Sequence, residues 1–198
     1  MLYIAILVSY LIGSISFAII VSKFMSLEDP RMYGSHNAGA TNVMRSGNKK
    51  AAAMTLLGDL LKGLLVILIA RYIFAKTPGG ESIIALCGIF VVIGHIFPIF
   101  FKFKGGKGVA TAIGVLLGFN IFLALLLAAT WLLVFKISKI SSLAALIASA
   151  LAPVYAYSLM GNNSYFGATT FIAIIILWKH KSNIIRLLNN QEQQIKNK

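Results

Sequence analysis

The chain has 198 residues, 59% hydrophobic and only 12% charged, which excludes an ordinary soluble domain and points to several membrane spans. Eighteen Lys and Arg against five Asp and Glu give a net charge of +13, suited to anionic headgroups or an anionic substrate. The basic residues are scattered between apolar segments, which argues against nucleic acid as a partner, and the single cysteine excludes an internal disulfide or a thiolate metal cluster.

Residues 2–21 read as a first span, retained because it lacks a basic n-region and a small-residue cleavage signal. Gly13, Ser14 and Ser16 give it a small patch for close helix packing. Residues 26–50 form the longest polar stretch. Arg31, Arg45, Lys49 and Lys50 place it on the cytoplasmic side. At its centre, small residues alternate with Ser35, Asn37, Thr41 and Asn42, a composition that lets backbone wrap a polar ligand. Arg45 adds a guanidinium able to clamp a phosphate.

Residues 51–74 read as the second span. Asp59 and Lys62 stand at i and i+3 on one face, and intramembrane charges of opposite sign are expected to pair. Residues 82–101 return inward, with His95 expected to be hydrogen-bonded and Pro98 to bend the chain. Next comes FKFKGGKGVAT. Lys102, Lys104 and Lys107 supply charge, while Gly105, Gly106 and Gly108 expose backbone N–H groups to an anion. Val109 follows Lys107 and Gly108, so this is not a Walker A loop.

Residues 109–135 are one apolar run interrupted by Gly114, Gly118 and Asn120. A turn at Gly118, Phe119 and Asn120 divides it into two helices and puts every basic loop on one side. The first, 109–118, is then short or partial. Residues 141–160 and 165–178 give two more spans. Ser141 and Ser142 are placed to cap a helix or reach a ligand. Ile184, Ile185, Leu187 and Leu188 predict a short amphipathic helix on the inner surface, with His180, Asn183 and Arg186 on another face. The expected fold is all-α: seven transmembrane helices in one domain over 1–198, N-terminus outside and C-terminus cytoplasmic. Its three polar clusters gather at the cytoplasmic face, where they suit a phosphate.

YGSHNAGATNVMR, FKGGKGVAT and HKSNIIRLL resemble, in order, the three motifs of the bacterial acyl-phosphate:glycerol-3-phosphate acyltransferases of the PlsY type. GDLLKG and GHIFPIFFKFKGGKG extend the likeness over nearly the whole chain. The resemblance implies an inner-membrane enzyme that moves a fatty acyl group from acyl phosphate to the 1-hydroxyl of glycerol 3-phosphate, without cofactor, metal or obligate protein partner. It implies catalytic roles for Ser35, Arg45, Lys104, His180 and Asn183. It implies substrate binding by Asn37, Thr41, Asn42, Gly105, Gly106, Lys107, Gly108, Ser142 and Arg186. Asp59 and Lys62 read as structural, and Glu192 matches the end of the third motif. Three positions depart from the family pattern: His36 and Asn190 stand where glycine is usual, and Ser16 where proline is. The alternative from another class is a small phosphate or organophosphate transporter, which Asp59 and Lys62 would favour. Against it, the polar clusters gather at one face, and no inverted repeat is visible.

Overall fold

The computed structural model describes residues 1–161 and 163–195, and the described residues form helices and connecting loops without a strand. The chain divides into two units, Met1–Phe119 and Asn120–Lys198, at the turn marked by Gly118, Phe119 and Asn120.

In the first unit, α1 (Leu2–Gly13) and α2 (Phe17–Phe24) form one apolar run, expected from its hydropathy as a continuous helix. It breaks at Ser14–Ser16, where Ser16 adopts an extended conformation (φ −91°, ψ 101°). A five-residue α3 (Ala40–Met44) lies in the long polar loop. Asn48 starts α4 (Lys49–Phe74) by accepting a hydrogen bond from Ala51 N at 2.9 Å. Helix α5 (Gly80–Ile96) ends in a single 3-10 turn, Ile99–Phe101, and the glycine loop leads into α6 (Val109–Phe119).

Helix α6 is as short as expected. Its 11 residues reach about 16 Å, roughly half of a ~30 Å hydrocarbon core. Arg71 Nη2 donates to Phe119 O at 3.0 Å and satisfies a carbonyl at its end.

Glycines set two close helix contacts. A Cβ on Gly13 would collide with Val91 O, and one on Gly94 with Tyr10 O, so α1 and α5 touch backbone to backbone. Gly63 and Gly114 do the same for α4 and α6, against Thr111 O and Leu60 O. Helix α4 turns Leu57, Leu61, Leu65 and Leu68 outward and buries Thr55, Asp59 and Lys62. That apolar-out, polar-in distribution belongs in lipid.

The second unit holds α7 (Ile121–Ser138), α8 (Ser141–Met160), α9 (Ser164–Lys179) and α10 (Lys181–Leu188). Asn120 caps α7 by accepting from Phe122 N and Leu123 N. Asn163 caps α9 by accepting from Phe166 N. Of the two roles open to Ser141 and Ser142, capping α8 is not the one taken: Ile140 occupies the N-cap without a side-chain cap, and Ser142 donates to Glu192. Helix α10 exposes Ile185 and Leu188 and buries Asn183, as an interfacial helix lying on lipid should.

Among the described residues, five helical segments are long and apolar enough to cross a membrane: Leu2–Phe24, Lys49–Phe74, Gly80–Phe101, Ile121–Ser138 and Ser141–Met160. Val109–Phe119 and Ser164–Lys179 are apolar but shorter.

Candidate functional site

Asn42 organises the first polar loop. Its Nδ2 donates to Pro30 O at 2.6 Å and Tyr33 O at 3.1 Å, and its Oδ1 accepts from Ser35 N at 2.9 Å. The buried amide therefore ties together the start and the centre of the loop. Gly34 lies beside it in the left-handed region (φ +60°), where a Cβ would collide with Asn42 Oδ1 and stand 3.1 Å from Arg45 Cδ. Arg45 thus runs along the turn that carries Ser35. Ala38 and Val43 anchor the loop from below, packed with Ala18, Val21, Ala51 and Ala52. Asn37 and Thr41 are half-buried on the same loop.

The glycine loop is seated on the end of α5. Gly106 N donates to His95 O at 3.2 Å. A Cβ on Gly106 would collide with His95 Nε2 and lie 2.7 Å from Ala38 O. A Cβ on Gly105 would collide with His95 O and come within 2.9 Å of Ile96 O. At both positions the missing Cβ makes room for protein, a packing duty beside the ligand approach expected of them. Gly108 alone of the three needs glycine for its backbone, with φ +95°. Its carbonyl accepts from Ala112 N at 2.8 Å as α6 begins. Lys104 is exposed and Lys107 half-buried on either side of the glycines.

Beneath this loop Asp59 and Lys62 pair as expected, Nζ to Oδ1 2.8 Å, with both side chains 3% exposed. Lys62 Nζ also lies 3.0 Å from His95 Nδ1. Sequence reasoning left His95 outside the site, although it stands within the GHIFP stretch that carried part of the family likeness.

In the second unit, Glu192 gathers the third cluster. Its Oε1 accepts from Ser142 Oγ and Asn183 Nδ2, each at 2.7 Å, and its Oε2 accepts from Arg186 Nε at 2.6 Å. Burial alone would raise the Glu192 carboxyl, but hydrogen bonds from Arg186, Ser142 and Asn183 outweigh it and hold the group below its ordinary range. Gln191 N donates to Arg186 O, and Ile195 N to Lys139 O, which hold the chain on both sides of the carboxylate. His180 is buried between α9 and α10, its Nδ1 2.8 Å from Ile176 O. A carbonyl can only accept, so Nδ1 carries a proton.

Three of the five carboxylates are thus neutralised by cations: Asp59 by Lys62, Glu192 by Arg186, and Asp29 by Arg31 at 2.6 Å. The hydrogen bonds from Arg31 keep the Asp29 carboxyl low against the opposing effect of burial. Glu28 and Glu81 are exposed. The positive balance of the polar loops is therefore little opposed by unpaired carboxylate.

Helices that are apolar outside and polar inside, with cation-bearing loops at their ends, define an integral multi-pass membrane protein. The family model described as glycerol-3-phosphate acyltransferase matches residues 3–190, and the chain belongs to that family. It is 54% identical over 194 residues to the glycerol-3-phosphate acyltransferase of Chromobacterium violaceum, covering 98% of this chain and 94% of the relative. It is 52% identical over 191 residues to that of Neisseria meningitidis serogroup C, covering 96% of each. Among solved structures it is similar to PlsY (YgiH), an integral membrane glycerol 3-phosphate acyltransferase. The glycerol 3-phosphate form gives a TM-score of 0.91 at 34% identity, over 98% of this chain and 96% of the other. The lysophosphatidic acid form gives 0.89 at 33% identity, over 98% and 95%.

Proposed function

We propose that this protein transfers a fatty acyl group from acyl phosphate to the sn-1 hydroxyl of glycerol 3-phosphate, giving lysophosphatidic acid and inorganic phosphate. The observation that carries this reading is its likeness, over nearly the full chain, to a PlsY structure in a glycerol 3-phosphate form and to another in a lysophosphatidic acid form. One names an acceptor and the other its acylated product.

The chemistry fits the side chains present. Both substrates are anions, and the loops supply cations. Acyl phosphate is an activated mixed anhydride, so positioning and charge stabilisation suffice. The acceptor hydroxyl attacks the carbonyl carbon, an ester C–O bond forms, and the bond from that carbon to the phosphate oxygen breaks. The departing phosphate takes the hydroxyl proton through its own phosphoryl oxygen. Arg45, Lys104, His180 and Asn183 bind glycerol 3-phosphate, with Ser35 orienting it. The 105–108 loop, with Thr41 and Asn37, holds the acyl phosphate. Asn42, Ser142 and Arg186 contribute through the hydrogen bonds that hold their loops. The whole chain, 1–198, acts as one catalytic domain in the bacterial cell membrane, with seven spans, an external N-terminus and a cytoplasmic active face.

Purified protein given acyl phosphate and labelled glycerol 3-phosphate is expected to form labelled lysophosphatidic acid, and to form none when acyl-CoA replaces acyl phosphate. Absence of product with acyl phosphate sinks the reading; product from acyl-CoA alone reassigns the donor. Reporter tags on the two termini are expected to lie on opposite sides of the membrane, and a shared side would change the helix count by one.

A further inference from the structure

We propose that Asp59, Lys62 and His95 are positioning residues for the glycine loop, setting phosphate affinity without touching substrate. The inference rests on the reading above only in taking that loop as a phosphate site.

The geometry forms a continuous chain of contacts. Lys62 Nζ has four polar partners around it: Asp59 Oδ1 at 2.8 Å, Gly13 O at 2.9 Å, Ile15 O at 2.7 Å and His95 Nδ1 at 3.0 Å. An ammonium offers three N–H bonds, so this one is saturated and its position fixed from several sides. Its counterion faces the same ring nitrogen, Asp59 Oδ1 lying 3.4 Å from His95 Nδ1, so the ion pair holds the imidazole at that edge. The Nε2 edge is the one that lies against Gly106. His95 also holds that loop through its backbone, by accepting from Gly106 N. The carbonyl of Ala38, from the first polar loop, faces Gly106 as well. A displacement of the His95 ring would therefore move both loops assigned to the substrates.

Two opposite charges buried inside a membrane segment are costly, and the Gly13 and Ile15 carbonyls account for the ammonium but not for the imidazole beside it. What an apolar side chain cannot supply is a fixed polar contact to the imidazole under the loop. Site geometry that must hold to about 0.5 Å depends on such supporting contacts.

The test uses the full chain in detergent. In His95→Gln the amide can occupy the place of Nε2 beside Gly106; in His95→Asn it reaches only the place of Nδ1. His95→Asn is expected to raise the KM for a phosphate substrate about tenfold or more, with a smaller loss in kcat, and His95→Gln to restore most of it. Titration calorimetry with inorganic phosphate gives a second readout that needs no turnover, and Kd should rise in His95→Asn and recover in His95→Gln. A wild-type protein that makes no lysophosphatidic acid would overturn the proposed reaction, while the phosphate Kd would still judge this inference. Unchanged KM and phosphate Kd in folded His95→Asn would overturn it, leaving the cluster a structural one. Should His95→Asn fail to fold, a cycle of Gly106→Ala with His95→Gln decides. The added methyl meets the ring, so its effect on phosphate Kd should be smaller when the flexible Gln replaces it, and strictly additive effects overturn the inference.

Discussion

The Lys62 ammonium lies 2.7 Å from the carbonyl oxygen of Ile15, at the break between α1 and α2. A helix that ends inside a membrane leaves carbonyls that neither water nor the next turn can satisfy. Lys62 supplies the missing donor there and to Gly13 O. The break in the first span and the charge in the second are thus two halves of one arrangement, with Asp59 balancing the cation.

Lys62→Met should accordingly destabilise the protein by about 3–5 kcal/mol, because it leaves Asp59 buried without its counterion. Adding Asp59→Leu should recover part of the loss. It should not recover all of it, since the Gly13 and Ile15 carbonyls still lack their donor. Thermal unfolding midpoints in detergent would check the order wild type, double variant, single variant. A double variant as stable as wild type would show that the carbonyl contacts contribute nothing.

Much of the fold was legible because lipid imposes long apolar runs, and polar punctuation such as Gly118 and Asn120 marks where they turn. The departures from the family pattern are informative in the same way. His36 and Asn190, where the resemblance leads one to expect glycine, both adopt a left-handed backbone at φ +54°. Glycine takes that conformation without strain, and Asn and His tolerate it better than most residues. Other features were hidden by distance along the chain. Ser142 and Glu192 meet across fifty positions. The ring of His95 meets Gly106 only because the chain folds back after Pro98. The break after Gly13 lies inside a run apolar enough to cross a membrane, and Ser14 and Ser16, which mark it, read equally as a packing patch.

Asn42 offers a test of loop construction. Asn42→Ala would leave Pro30 O, Tyr33 O and Ser35 N without their side-chain partner, at about 1–3 kcal/mol for each group that stays buried and unsatisfied. Asn42→Asp should be at least as harmful, because its second oxygen would face two carbonyl oxygens. Both variants should lose activity together with unfolding temperature. A stable Asn42→Ala protein with a raised KM alone would instead give Asn42 direct contact with substrate.

Glu192 predicts a pH dependence with a definite sign. Its carboxyl lies below its ordinary 4.5 in the folded protein. A depressed carboxyl contributes stability that is fully present above that ordinary value and is lost as pH falls through the folded-state value beneath it. Wild type should therefore exceed Glu192→Gln in unfolding temperature at neutral pH, and the gap should close progressively in acid below the ordinary carboxylate range. A gap that stays constant with pH would mean that the carboxylate charge is not what holds Ser142, Asn183 and Arg186 together.

The His-x-x-x-x-Asp pair of other acyltransferases, in which histidine takes the hydroxyl proton and aspartate orients it, is absent here. The residues five positions after His36, His95 and His180 are Thr41, Phe100 and Ile185. His180 is oriented through Nδ1 by the carbonyl of Ile176, a neutral partner that stabilises an imidazolium less than a carboxylate would. The proposed reaction needs no protein base, because the donor brings its own proton acceptor in its phosphoryl oxygen. His180→Gln keeps a polar atom where Nε2 stands, whereas His180→Ala removes it. If His180 only binds, Gln should retain much of kcat with a raised KM for glycerol 3-phosphate, and Ala should lose more of both. If both variants lose about a thousandfold in kcat with substrate affinity little changed, histidine is the base and the substrate-assisted proton transfer is wrong.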